Sequence, residues 1–239
     1  MGGACDERAI DTPAASWLGE RGGGAYILPH PSQRAPAAGG DLHEPEKRRA
    51  ILHAAVHVFA EKGYHGCRIA DVARQAGVAY GLVYHYFQNK DALLESVCAE
   101  QWTIFLHALR AASEGPGTAP EQLGGICRFA IDVFRTAPAA VRVLLLEVAR
   151  TPNAFRAGST RQTFEEAVGI VAGIVTRGVQ MGELRRETEP TVAATCLLGA
   201  LELTLTSMVT GIVRGASDED VARVKAGLVD QVVGGLLPR

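Results

Sequence analysis

The stretch Arg68–Phe87, RIADVARQAGVAYGLVYHYF, constrains this chain more than any other. It reads as two helices of about eight residues, Arg68–Ala76 and Ala79–Phe87, separated by Gly77-Val78. The placement of Ala73, Gly77 and Val83 lets the second helix cross close over the first. That is the helix-turn-helix arrangement, whose second helix enters the major groove of DNA. Ile69, Val72, Ala73, Ala76, Val78, Val83 and Phe87 form the expected mini-core, and Ala79, Tyr80, Gly81, Tyr84 and His85 are left facing outward. Periodicity alone leaves a plain helical hairpin open as the alternative.

The surroundings extend a helical reading in both directions. Glu44-Pro45-Glu46 places a proline at a first helical position between acids, which suits the positive end of a helix dipole. Leu52, Ala55, Val56 and Phe59 then recur on one face, and Lys62-Gly63 predicts the stop. Further helices are predicted over about 90–112, 119–135, 138–150, 159–181, 189–213 and 217–237, with no alternating strand pattern anywhere. The fold class is therefore all-α. Residues 1–44, with 8 Gly and 4 Pro and no apolar period, read as a flexible leader. A small DNA-binding domain over 45–105 and a larger helical domain over 106–239 follow it.

Composition excludes several classes. With 239 residues, 47% of them hydrophobic, and a formal net charge of −2, the chain has ample material for a core and is no wholly disordered polypeptide. Charge is uneven: residues 45–110 hold 8 Lys+Arg against 6 Asp+Glu, a net of +2, whereas residues 1–44 hold 3 against 6, a net of −3. No window offers roughly 18 uninterrupted apolar residues, so no membrane span is expected. Five scattered cysteines without a C-x-x-C pair argue against a disulfide framework or a zinc finger. They read as thiols in a reducing compartment and, without a signal-peptide pattern, point to the cytoplasm.

No catalytic constellation emerges: there is no G-x-S-x-G elbow, and no Cys or Ser has an obvious paired base. The chain is therefore not expected to be an enzyme, and no cofactor is implied. His53 and His57, four apart, lie off the Leu52/Val56/Phe59 face without an acidic third ligand, so they read as a solvent-side pair and no metal site is expected.

Residues 46–93, EKRRAILHAAVHVFAEKGYHGCRIADVARQAGVAYGLVYHYFQNKDAL, resemble the DNA-binding domain of the TetR family of transcriptional regulators. Ile51, Ala54, Phe59, Gly63, Ala73, Ala76-Gly77-Val78, Gly81, Tyr84, Tyr86-Phe87 and Lys90 carry the resemblance. It implies that Tyr84 meets the groove or backbone, that Lys90 contacts phosphate, and that Tyr80 and Gly81 approach base edges. Arg68, Ala79 and His85 complete the expected DNA-binding set. The chain departs from the family at Cys67-Arg68, Ala79 and Leu82, where hydroxyl residues are common. Each lost cap costs about 1 kcal/mol, and each lost hydroxyl removes a phosphate donor.

The resemblance further implies a repressor that binds a pseudo-palindromic double-stranded operator as a homodimer. Residues 189–213 and 217–237 would supply the subunit interface. Their apolar positions Val192, Cys196, Leu197, Leu201, Leu205 and Met208, and Val221, Val224, Leu228 and Val232, make wide faces. A helical ligand carrier or adaptor without specific DNA binding stays open as the alternative. The runs Gly178–Arg185 and Gly199–Glu202 resemble the fatty-acyl-responsive branch, which implies a hydrophobic small-molecule effector, an acyl-CoA among the candidates. Phe129, Phe134, Arg150, Phe164 and Glu202 are the expected ligand-binding residues.

Overall fold

Helix α1, Glu44–Gly66, begins as the sequence predicts, with Glu44 and Glu46 in its first turn. It buries Ile51, Leu52, Ala55, Val56 and Phe59 on one side. The predicted stop survives as a kink: Gly63 takes φ 70°, and one further helical turn runs on to Gly66. A side chain is disfavoured at that left-handed position, which is why a glycine stands there. The computed structural model describes residues 44–147 and 158–238. The expected leader over 1–44 lies outside the described residues except for Glu44, as does Arg150.

Helices α2, Ile69–Ala76, and α3, Tyr80–Tyr86, fall within a residue or two of the predicted pair. Gly77 closes α2 with φ 66° and donates its N–H back into the last turn, a left-handed C-cap that turns the chain tightly into α3. Helix α4, Lys90–Glu114, is 25 residues long, about 37 Å at ~1.5 Å per residue. Asn89 caps it by accepting from the Ala92 N–H at 2.8 Å.

Helix α5, Ala119–Thr136, starts from a reciprocal Thr118–Glu121 cap. A short α6, Pro138–Arg142, runs into a π-helical turn, Val143–Glu147, where a single regular helix to 150 was expected. Helices α7, Gly158–Gln180, α8, Pro190–Val209, and α9, Asp218–Val232, complete the chain with a last 3₁₀ turn, Gly234–Leu236. Both final helices are shorter than their apolar patterns suggested. A turn at Thr210-Gly211 ends α8, and α9 gives way to the 3₁₀ turn. No strand occurs among the described residues.

Two apolar cores result. The first joins α1, α2, α3 and the start of α4 around Ile51, Phe59, Val72, Val83, Leu93 and Val97. The second joins the rest of α4 to α5, α7, α8 and α9 around Leu109, Leu123, Ile131, Ile174 and Leu197. Helix α4 thus belongs to both, with Cys98 in the first and Leu106 in the second. Ala140 and Val143, at the α6–π junction, also pack into the first core. Helices α5 and α7 approach so closely that a Cβ on Gly178 would lie 2.5 Å from that of Ala119.

Helix α8 is long and apolar enough to cross a bilayer by length and composition, with a mean hydropathy of 1.7. In the fold, Ala194, Leu197, Leu201, Leu205 and Met208 face the second core. Three of the four described cysteines, Cys67, Cys98 and Cys127, are buried, and Cys196 is exposed.

Candidate nucleic-acid interface and effector groove

The exposed face of α3 is set by what the helix buries. Val83 is fully buried and Phe87 nearly so, which turns Tyr80, Gly81, Tyr84 and His85 to the outside, as the spacing predicts. Tyr80 is 53% and Tyr84 44% exposed, large fractions for aromatic side chains. Their rings meet edge to face at 5.1 Å, and the Tyr80 hydroxyl donates to the Tyr84 hydroxyl at 3.2 Å. That bond, with the partial burial of the ring, raises the Tyr80 pKa above its ordinary value, so the phenol stays neutral and remains a donor. Nothing lies within 4 Å of a Cβ placed on Gly81, so this part of α3 is open to close approach of a groove wall.

Arg68 and Ala79 stand at the N-caps of α2 and α3, both exposed. Neither supplies a side-chain acceptor of the usual kind. At α2 the Asp71 carboxylate takes over, accepting from the Arg68 backbone N–H at 3.0 Å. Lys62 and Arg74 each pair with the same carboxylate at 2.8 Å. Lys62 first, then the Arg68 N–H, hold the Asp71 pKa down at about 2. At α3 no side chain caps the helix. Replacing Ala79 by Ser is therefore expected to stabilise the protein by roughly 0.5–1 kcal/mol. Thermal melting should rise by about 1–4 °C, and unchanged melting would show that α3 is held wholly by its packing.

Lys90 sits at the start of α4, but its ammonium turns inward. It donates to the carbonyls of Tyr64 at 2.7 Å and Cys67 at 3.2 Å, and lies 4.4 Å from the centre of the Tyr64 ring. The kink at Gly63 leaves carbonyls at the end of α1 without helical partners, and a lysine satisfies them well. An ammonium has three donors, so one is left over for a phosphate. The Tyr64 hydroxyl donates to Asp91, which fastens the same corner from the other side.

His53 and His57 do pair, with ring centres 4.7 Å apart, but His53 is half-buried where a solvent position was expected. Burial first, and His57 second, lower its pKa. No group of three metal-ligating side chains occurs among the described residues.

An apolar groove runs between α4 and α5, lined by Phe105, Leu109, Ala112, Gly125, Ile126 and Phe129 among others. Its cavity volume is about 40 Å³, space for roughly three water molecules. Gln122 closes one end, donating to the Gly115 carbonyl at 2.8 Å and accepting from Arg177 at 3.4 Å. Arg177 also donates to the Ser113 carbonyl at 2.8 Å, tying the α4–α5 turn to α7.

Of the expected ligand-binding residues, Phe129 lines this groove. Phe164 stands against Trp102 of α4, ring centres 4.9 Å apart. Phe134 instead packs in the second core beside Gly215. Glu202 is exposed: with Leu201 and Leu205 turned into the core, the helical period carries it to the outer face of α8. Sequence reasoning passed over Trp102 and Gln122. A polar residue in the apolar period of α5 was the one signal for Gln122, and nothing local marked Trp102.

The sequence profile described as bacterial regulatory proteins, tetR family, matches residues 51–97. The fatty acid metabolism regulator protein of Bacillus subtilis (strain 168) is 30% identical over 163 residues, covering 68% of this chain and 84% of that protein. The HTH-type transcriptional regulator RutR of Escherichia coli (strain K12) is 31% identical over 137 residues, covering 55% of this chain and 63% of that one. Among solved structures, the transcriptional regulator FadR from Bacillus subtilis in complex with stearoyl-CoA superimposes with a TM-score of 0.69. Its identity is 27%, over 79% of this chain and 98% of that chain.

Proposed function

Because this chain belongs to the tetR family of bacterial regulatory proteins, we propose that it is a DNA-binding repressor released from its operator by a long-chain acyl-CoA. The observation that carries the reading is the exposed Tyr80–Gly81–Tyr84–His85 face of α3, held out by a fully buried Val83. Hydroxyls, the N-terminus of α3 and Arg68 are phosphate- and base-seeking groups, all exposed on the small domain. We assign Arg68, Ala79, Tyr80, Gly81, Tyr84 and His85 to the DNA interface. Lys90 joins them as the residue that locks the α1–α2 junction and offers its remaining donor to the backbone.

The operator is a pseudo-palindrome read by a homodimer. On α8, Val192, Cys196, Gly199 and Leu203 are all exposed and recur on one side, opposite the buried Leu197–Leu201–Leu205 stripe. With Val192 60% and Leu203 67% exposed, that outward face suits a second subunit. Helix α9 adds the small residues Ala226 and Gly227 beside it, so two copies of each helix make a four-helix interface.

The effector is an acyl-CoA by two supports: the apolar lining of the α4–α5 groove and the likeness to a regulator solved with stearoyl-CoA. The groove as it stands is far too small for an acyl chain, so occupancy requires α4 and α5 to part. Since α4 is shared between the two cores, parting it from α5 moves the first core and with it α3. Half-sites must match a spacing of about 34–36 Å or a near multiple, so a modest rotation is enough for release. We place the domain division on α4 near residue 105, between the two cores.

The deciding experiment is fluorescence anisotropy on DNA from upstream of the protein's own gene against a scrambled control, over several salt concentrations. Selective binding at physiological salt, reversed by palmitoyl-CoA and not by free CoA, is expected. Equal and steeply salt-dependent binding to both DNAs would leave only the nonspecific phosphate contribution. Acyl-CoA binding without any DNA affinity would favour a ligand carrier on the same fold.

A further inference from the structure

We propose that Trp102 is the polar anchor of the effector site, its indole N–H donating to the thioester carbonyl of the bound acyl-CoA. The proposal rests on the acyl-CoA reading above and names a contact within it. Trp102 lies on α4, with its ring 4.9 Å from that of Phe164 on α7 and 5.9 Å from that of Phe105. Its Nε1 is sealed from solvent and has no hydrogen-bond partner among the described residues. Buried donors in native proteins are nearly always paired, and one left open in an aromatic setting is costly unless something else fills it.

The neighbouring groove is the nearest apolar channel to that donor. Phe105 packs against Trp102 and also lines the groove with Phe129, so one aromatic ring joins the indole to the apolar channel. The charge of the lining chooses among acceptors. Among the described lining residues Glu121 is charged and none is Lys or Arg. Among these residues a free fatty acid would bring its carboxylate against Glu121 with no cation to meet it, whereas a thioester carbonyl is neutral and needs only one donor. Phe164, expected from the sequence as a ligand residue, then acts by holding the indole plane. A ligand fixed at Trp102 is also fixed to α4, the helix that reaches the DNA-binding core.

Isothermal titration calorimetry on the full-length dimer tests this without requiring the operator. Lauroyl-CoA and its thioether analogue S-dodecyl-CoA, which lacks the carbonyl, are titrated into the wild type and into Trp102→Phe. The wild type should bind lauroyl-CoA about 5–10-fold more tightly than the thioether, the value of one hydrogen bond. Trp102→Phe should bind both with the weaker affinity. Its melting temperature should not fall, because the substitution removes an unpaired buried donor. Equal affinity of the wild type for the two ligands would overturn the proposal while leaving the acyl-CoA reading intact, and this comparison needs no variant. Binding of neither ligand by the wild type would overturn both. A preference for lauroyl-CoA that persists in Trp102→Phe would place the carbonyl's donor elsewhere and overturn the role of Trp102.

Discussion

Replacing Tyr80 and Tyr84 together by Phe should weaken operator binding about 100-fold while leaving the fold intact. The two side chains are exposed and among the described residues their hydroxyls bond to each other, so the folded monomer loses little. In a dimer on DNA the change removes four hydroxyls from the interface. At roughly 0.5–1.5 kcal/mol each, their loss sums to a few kcal/mol, and every 1.4 kcal/mol is tenfold. The dependence of binding on salt separates this effect from a loss of charge. Neither tyrosine carries charge, so the slope of log K against log salt should not change. Arg68→Ala, by contrast, should lower that slope by about 2 in the dimer, one released counterion for each subunit. If the double Phe variant bound the operator as the wild type does, α3 would not be the reading helix.

Phe59→Ala should cost about 3–5 kcal/mol, the usual range for a fully buried aromatic ring. Phe59 is 1% exposed, among the largest side chains of the first core, and sits where α1 meets the helix-turn-helix pair. Of the neighbours that could close a cavity, α2 and α4 are already fastened: α2 through the Lys62–Asp71 pair, α4 through Lys90 and the Tyr64–Asp91 bond. Collapse is therefore limited, and the cost should fall in the upper part of the range. At roughly 2–4 °C per kcal/mol, unfolding of the DNA-binding core should move down by 10 °C or more. The second core contains no contact to Phe59, so acyl-CoA binding should persist at temperatures where operator binding is lost. A shift of only a degree or two would mean that the first core repacks freely, against the close association of α1 with α2 and α4.

The helix-turn-helix was legible because everything that defines it is local. The apolar period of Ile69, Val72 and Ala73, the left-handed turn at Gly77, and the outward set Tyr80, Gly81, Tyr84 and His85 all lie within twenty residues. The same locality explains why the missing caps at Arg68 and Ala79 were visible in advance, and why Asp71, three residues on, was able to replace one of them. Helix ends were less secure. The apolar pattern of α9 runs on past Val232, but the backbone there tightens into a 3₁₀ turn whose Leu236 carbonyl accepts from the Arg185 N–H at 3.0 Å. A contact spanning fifty residues overrides a local period.

The effector side was legible only as a composition. Phe129 and Phe164 are placed usefully, Phe134 is spent on the core beside Gly215, and Glu202 faces outward. A period tells that a residue lies on one face of a helix, and the neighbours of that helix decide what the face meets. Taken alone, the amino-acid sequence determined an all-helical chain, a DNA-reading motif and a pair of apolar closing helices, because short-range periodicity, capping and glycine geometry are properties of neighbouring residues. Tertiary structure alone decided that Lys90 serves the Tyr64 and Cys67 carbonyls, that Ala140 and Val143 complete a core begun ninety residues earlier, and that α4 is common to both cores. It also decided that Trp102 keeps a buried N–H without a partner among the described residues. Each of these depends on which distant segments pack together, a choice made by burial of whole helix faces against one another.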